Sequence, residues 1–123
     1  MARVHFVGKV PYTDYLRLLQ VSACHVYLTY PFVLSWSCLE AMSAGGLVVG
    51  SRTAPVEEVI EDDVNGRLGD FFDTQTLAQT VADVLADPQA QSPLRKQARQ
   101  TVIERYDLKR ICLPQLIRLI EDI

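Results

Sequence analysis

His25-Val26-Tyr27-Leu28, a stretch broken by Pro31 and running to Gly45-Gly46, and then Leu47-Val48-Val49-Gly50 are the residues that decide the fold. Each end is a four-residue run of mainly apolar side chains, the length of a buried strand rather than a helix. Pro31 closes the first run, because proline cannot donate to a strand ladder. Helix signals resume at Ser37, with Leu39, Met42 and Ser43 following. Gly45-Gly46 ends that helix, since glycine readily adopts the left-handed cap conformation. Strand, helix, strand is the predicted order, and it implies a parallel crossover.

The flanks extend this pattern. Val4-His5-Phe6-Val7 is an apolar run stopped by Gly8 and reads as a further strand. Pro11 opens a helix whose Tyr12, Leu16 and Leu19 share a face. Downstream, residues 51–55 read as a loop and 56–60 as one helical turn. Asn65-Gly66 marks a turn, and Arg67-Leu68 a short fourth strand. Asp73 caps a helix with Leu77, Val81 and Leu85 on one face, closed by Asp87-Pro88. Ser92-Pro93 is an N-cap followed by proline, with Leu94, Ala98, Val102 and Tyr106 lining the helix behind it. Asp107 caps a last helix over residues 107–123, carrying Leu108, Leu116, Leu119 and Ile120; Pro114 kinks it or sets its start. Short strands alternating with helices specify an α/β fold, a parallel sheet of Rossmann-like type with helices on both faces. Such sheets bind ligands outside the carboxyl ends of their strands.

The chain has 123 residues, enough for one domain with an ordinary core. Its net charge of −3 excludes the basic footprint of a nucleic-acid binder. No apolar run is long enough to span a bilayer, and the N-terminus has no signal-peptide layout. Cys24, Cys38 and Cys112 lack ligand spacing, so they read as buried thiols in a reducing, cytoplasmic setting, with no metal site. His5 and His25 lie in apolar runs and read as partly buried structural residues. GxxxxGK[ST] and G-x-S-x-G are both absent, which excludes a P-loop nucleotidase and a serine hydrolase of that type. A receiver-like signalling domain would need an acidic residue at a strand's carboxyl end, and Thr29-Tyr30-Pro31 and Ser51-Arg52-Thr53 supply none.

Residues 29–42 run from a strand's carboxyl end into a helix N-terminus. The first amides of a helix lack intrahelical acceptors and carry partial positive charge, so a phosphate fits there. Ser35 and Ser37 can add hydroxyl donors. Glu40 has two readings. Its two oxygens suit a ribose diol; equally, Ser37-Cys38-Leu39-Glu40 is a capping box, in which Glu40 reaches back to the Ser37 amide. Trp36 reads as a packing residue ahead of a stacking platform, and Tyr27 and Tyr30 as structural.

The segment from Phe32 to Met42, followed by Ser43-Ala44-Gly45-Gly46-Leu47-Val48-Val49-Gly50-Ser51, resembles the donor-site block of retaining GT-B glycosyltransferases of family 4, glycosyltransferase group 1. The resemblance continues through Glu58-Val59-Ile60-Glu61-Asp62-Asp63-Val64-Asn65-Gly66 and into both N-terminal apolar runs. It implies a donor-binding set of Phe32, Leu34, Ser35, Trp36, Ser37 and Glu40. Glu40 matches the family's ribose-holding second Glu, and residues 34–37 the loop whose amides meet the diphosphate. Phe32 stands where the family's first Glu touches the donor sugar, and a phenyl ring accepts no hydrogen bond.

The resemblance further implies one truncated nucleotide-sugar-binding domain over residues 1–123, the C-terminal portion of a longer enzyme. Such a parent would transfer a sugar from a nucleotide-sugar donor with retention and without a metal or other cofactor. Its partners would be the nucleotide-sugar and an N-terminal acceptor domain, not nucleic acid, and the parent could be membrane-peripheral. The portion alone would be inactive. A non-catalytic nucleotide-sugar-binding module is the alternative, since nucleotide binding needs only Glu40 and the loop amides. Strands missing from the sheet would leave an open edge, so residues 4–7 are expected to pair beside residues 25–28, or two chains to pair there as a homodimer.

Overall fold

The computed structural model describes residues 3–30 and 32–123. Helix α1 (Tyr12–Val21) leads into strand β1 (His25–Tyr27), then α2 (Trp36–Ser43), β2 (Val48–Ser51) and the single turn α3 (Ala54–Glu57). Strand β3 (Arg67–Gly69) and helix α4 (Thr74–Ala86) follow. A 3-10 turn (Pro88–Gln91) enters α5 (Ser92–Tyr106), and a π turn (Leu108–Cys112) enters α6 (Leu113–Glu121). The three strands form a parallel sheet in the order β1-β2-β3. This is the α/β architecture that the alternating runs predict. The strand break expected at Pro31 lies outside the described residues.

Central strand β2 is buried along its whole length, as a continuous apolar run requires. Its side chains alternate between two cores. Val48 packs with Cys38, Met42, Val56, Ile60, Leu68 and Ala98 on one face of the sheet. Val49 packs with Leu47, Leu77 and Val84 on the other. Met42 and Val48 are fully buried, and each such side chain contributes about 1.5–3 kcal/mol. Ser51 extends the β1–β2 pairing past the end of the ladder: its Oγ accepts from the Thr29 N–H and donates to the Thr29 carbonyl, both at 3.0 Å.

Helix α2 ends in a Schellman motif. Gly45, at φ +77°, donates to the Met42 carbonyl at 3.0 Å, and Gly46 donates to the Ala41 carbonyl at 2.8 Å. That turn drops the chain directly into β2.

Several sequence expectations are corrected. Residues 4–7 form no strand; they are exposed, Phe6 at 97%, and do not pair beside β1. A strand is stable only when its backbone groups find a partner; β1 is an edge strand, yet residues 4–7 do not run along it and make no ladder with it. His5 is consequently exposed rather than half-buried. Helix α4 buries Leu77 and Val84, whereas Leu85 faces solvent. Ser92 is the first residue of α5 rather than its cap, because the turn at Pro88–Gln91, capped by Asp87, precedes it. Pro114 sits in the first turn of α6, where its missing N–H costs nothing, so it sets a start. Asp107 caps the π turn by accepting from the Lys109 and Arg110 amides. Of the three thiols only Cys38 is fully buried; Cys24 and Cys112 are half-buried.

Candidate functional site

Parallel strands place all three carboxyl ends on one edge. β1 runs out into Thr29 and Tyr30, β2 into Arg52 and Thr53, and β3 into Asp70 and Phe71. The segment that returns from β1 to α2 carries the sequence-predicted residues.

The start of α2 differs in detail from expectation. Ser35, not Ser37, is the N-cap: it is extended at φ −77°, ψ 148°, and its Oγ accepts from the Ser37 amide at 3.3 Å. The Cys38 amide donates to the Ser35 carbonyl at 3.2 Å. Ser35's own amide donates to the Tyr27 hydroxyl at 2.7 Å. Amides at residues 35 and 37 therefore already hold internal hydroxyl partners. Both partners are side-chain hydroxyls at or near the surface, which an anion can displace more readily than a backbone carbonyl.

Glu40 forms no capping box. Its Oε2 accepts from the Tyr12 hydroxyl at 2.5 Å, and its Oε1 from the Tyr15 hydroxyl at 3.4 Å. The carboxylate is half-buried and lines an open cavity of about 460 Å³ with Tyr12, Leu16, Gln20, Ser43 and Arg99. Hydrogen bonding to the carboxylate raises the Tyr12 phenol above its ordinary pKa, because ionising it would put two negative charges together. Burial first, then Glu40, raises Tyr15.

The remaining residues do not converge on Glu40. Leu34 lines a separate cavity of about 430 Å³ with Val33, Pro55, Glu58 and Tyr106. Phe32 and Trp36 point outward, at 74% and 83% exposure. Trp36 is thus no packing residue. Tyr27 is structural through its bond to Ser35, whereas Tyr30 is exposed and joins Phe71 and Phe72 in an aromatic cluster.

Other chemistry-bearing groups are quiet. Burial pushes the Cys38 thiol up to about 12, far from a reactive thiolate. Burial lowers the His25 pKa, and its Nε2 is buried without a partner. Among the described residues, no three His, Cys, Asp or Glu side chains gather as a metal site would require. No helix among them is long and apolar enough to cross a membrane. Sequence reading missed Asn65 as a structural centre: its Nδ2 donates to the Val59 carbonyl at 3.0 Å and to Thr101 Oγ1 at 3.1 Å, while its Oδ1 accepts from the Glu61 amide at 2.8 Å.

Comparison with known proteins places this arrangement. Residues 1–101 match the profile of the family described as glycosyl transferases group 1. N-acetyl-alpha-D-glucosaminyl L-malate synthase of Bacillus anthracis is 28% identical over 109 residues, covering 89% of this chain and 28% of that protein. Anabaena HepE, solved in complex with UDP and glucose, superposes with a TM-score of 0.84 at 25% identity, over 98% of this chain and 32% of that one. Sucrose-phosphate synthase from Thermosynechococcus elongatus superposes with a TM-score of 0.81 at 28% identity, over 98% and 31%. The chain spans about a third or less of the length of each. Its sheet and helices are those of GT-B glycosyltransferases, and on the match across residues 1–101 the chain belongs to the glycosyl transferases group 1 family.

Proposed function

We propose that this chain is the nucleotide-sugar-binding portion of a retaining, family 4 glycosyltransferase. Glu40 carries the reading. It is a half-buried carboxylate one turn into α2, facing an open cavity and held by two tyrosine hydroxyls rather than by a cation. Each carboxylate oxygen keeps a second acceptor direction beside its tyrosine bond, so Glu40 can accept from the two hydroxyls of a ribose while Tyr12 and Tyr15 fix its orientation. The start of α2 would face the diphosphate, with Ser35 and Ser37 exchanging their mutual hydrogen bonds for phosphate oxygens. Donors fixed there stabilise the charge that develops on the departing diphosphate. HepE, a structural neighbour solved with UDP and glucose, holds ligands of this class.

Several finer points stand with the proposal. Transfer would require acceptor-binding residues beyond this chain, so the chain alone would be inactive. The reaction would need no bound metal. The protein would work in the cytoplasm, its parent peripheral to a membrane. The edge of β1, unpaired among the described residues, would admit a second copy as a homodimer. A non-catalytic nucleotide-sugar-binding module is the second reading, and exposed Phe32, which offers the sugar no hydrogen bond, favours it.

Titration with UDP and UDP-glucose, followed on backbone amides, tests the site. Millimolar UDP should shift residues 35–40, and Glu40→Ala should weaken binding about tenfold, some 1.4 kcal/mol. Equal binding by Glu40→Ala would overturn the reading. Transfer or donor hydrolysis by a longer protein containing this chain separates the enzyme from the binding module.

A further inference from the structure

We infer that the aromatic corner at the ends of β1 and β3 is a binding site for a saccharide ring. Three rings from two distant segments meet there. Tyr30 stacks on Phe71 with centroids 5.6 Å apart, and Phe72 meets both edge-on at 5.1 Å. Such clusters ordinarily fill a core, yet Tyr30 is 56% and Phe72 71% exposed. An exposed apolar patch of this kind marks a binding surface.

Polar groups beside the rings define what would bind. Tyr30, Phe71 and Phe72 line a cavity of about 230 Å³ together with Arg52, Thr53 and Asp70. That volume is below the range of about 300–1,000 Å³ typical of sites for drug-sized ligands, and suits one ring. Asp70 Oδ1 accepts from the Phe72 amide at 2.8 Å, which shapes the turn and leaves its second oxygen without a partner among the described residues. Arg52 reaches Asp62 with one nitrogen at 3.3 Å, which leaves further N–H donors. An apolar platform flanked by both an acceptor and a donor matches a pyranose. Its C–H face lies on aromatic rings while its equatorial hydroxyls both donate and accept.

The strands are parallel, so this corner occupies the same edge of the sheet as the segment leading to α2. Ring binding rests on the aromatic corner and its polar rim and does not depend on the donor reading above.

Saturation-transfer NMR on this chain, with methyl pyranosides of glucose, galactose and mannose as probes, tests the inference. Saturating the aromatic protons should transfer to sugar C–H protons. Phe72→Ala and Tyr30→Ala, both at exposed positions, should weaken the transfer about tenfold, and Asp70→Asn should weaken it less. Leu116→Ala, at an exposed apolar position on α6, should not alter it. No transfer to any pyranoside, or transfer undiminished in Phe72→Ala, overturns the site. Aromatic shifts that follow protein concentration and ignore the sugars overturn it in favour of self-association. UDP-induced shifts at residues 35–40 are read in the same samples, so loss of one site is told apart from loss of the other.

Discussion

The Tyr12 hydroxyl donates to Glu40 Oε2 at 2.5 Å, joining two helices across 28 residues of sequence. Because the bond is strongest with an ionised carboxylate and a protonated phenol, it opposes ionisation of Tyr12. Glu40→Gln removes the charge and keeps the shape. The Tyr12 phenol should then titrate at lower pH, and Tyr15 should fall by less, since burial remains its larger cause. Phenolate absorbance followed through an alkaline titration measures both. Unchanged titration would mean that the carboxylate faces elsewhere in solution, and the proposed ribose contact would lose its geometry.

Asn65 offers a test of the scaffold. Its side chain makes three hydrogen bonds, ties the segment after α3 to Thr101 on α5, and is buried. Asn65→Ala leaves the part-buried Glu61 amide and the buried Val59 carbonyl without these partners, and each unsatisfied buried group costs about 1–3 kcal/mol. We expect a loss of about 3 kcal/mol in urea unfolding. Asn65→Asp keeps the acceptor, loses both donations and adds charge, so it should be no better than alanine.

These two residues also show where sequence reading stops. The run Leu47-Val48-Val49 identified β2 because a strand buried on both faces is apolar at every position. Residues 4–7 carry the same local signal and form no strand, since pairing depends on what lies alongside. Ser35 and Ser37 are equivalent as caps by composition; the Tyr27 hydroxyl, which fixes the Ser35 amide, decides between them. Glu40 drew attention through its motif, but its partners are on α1 and no local spacing reveals them. Asn65 reads as a turn residue and sits in the turn at residues 63–65, but no local signal shows that its side chain also ties that turn to α5. The corner of Tyr30, Phe71 and Phe72 exists only once the sheet aligns two strand ends.

Acid and alkali should act through different buried groups. Burial raises Cys38 from 9.0 to about 12, so the folded protein holds this proton more tightly than the unfolded chain. The stabilisation is complete below the unfolded pKa and is lost as pH rises from there through about 12, with a slope of about 1.4 kcal/mol per pH unit. Burial lowers His25, so its share is present above the unfolded pKa near 6.5 and is lost as pH falls from there through the folded value. Cys38→Ala should cost about 1 kcal/mol at neutral pH through the small void it leaves. Between pH 9 and 10 the gap to the parent chain should narrow. A gap independent of pH would show that the thiol is accessible to water in the folded state.

The two glycines that close α2 should tolerate alanine unequally. Gly45 is at φ +77° with no heavy atom within 4 Å of an added Cβ, so Gly45→Ala meets only backbone strain, about 1–2 kcal/mol. Gly46 is the reverse case. An added Cβ would lie 2.9 Å from the Ala41 carbonyl oxygen, the same atom that accepts from the Gly46 amide. Relieving that clash means lengthening the hydrogen bond that ends the helix and tilting the entry to β2. Backbone shifts of that kind typically cost about 1–3 kcal/mol, added here to the lost bond of about 1 kcal/mol. Gly46→Ala should therefore be the more damaging by thermal unfolding. Equal losses would show that the Schellman turn gives way without disturbing the central strand, and that α2 is less firmly positioned over the strand ends than its hydrogen bonds indicate.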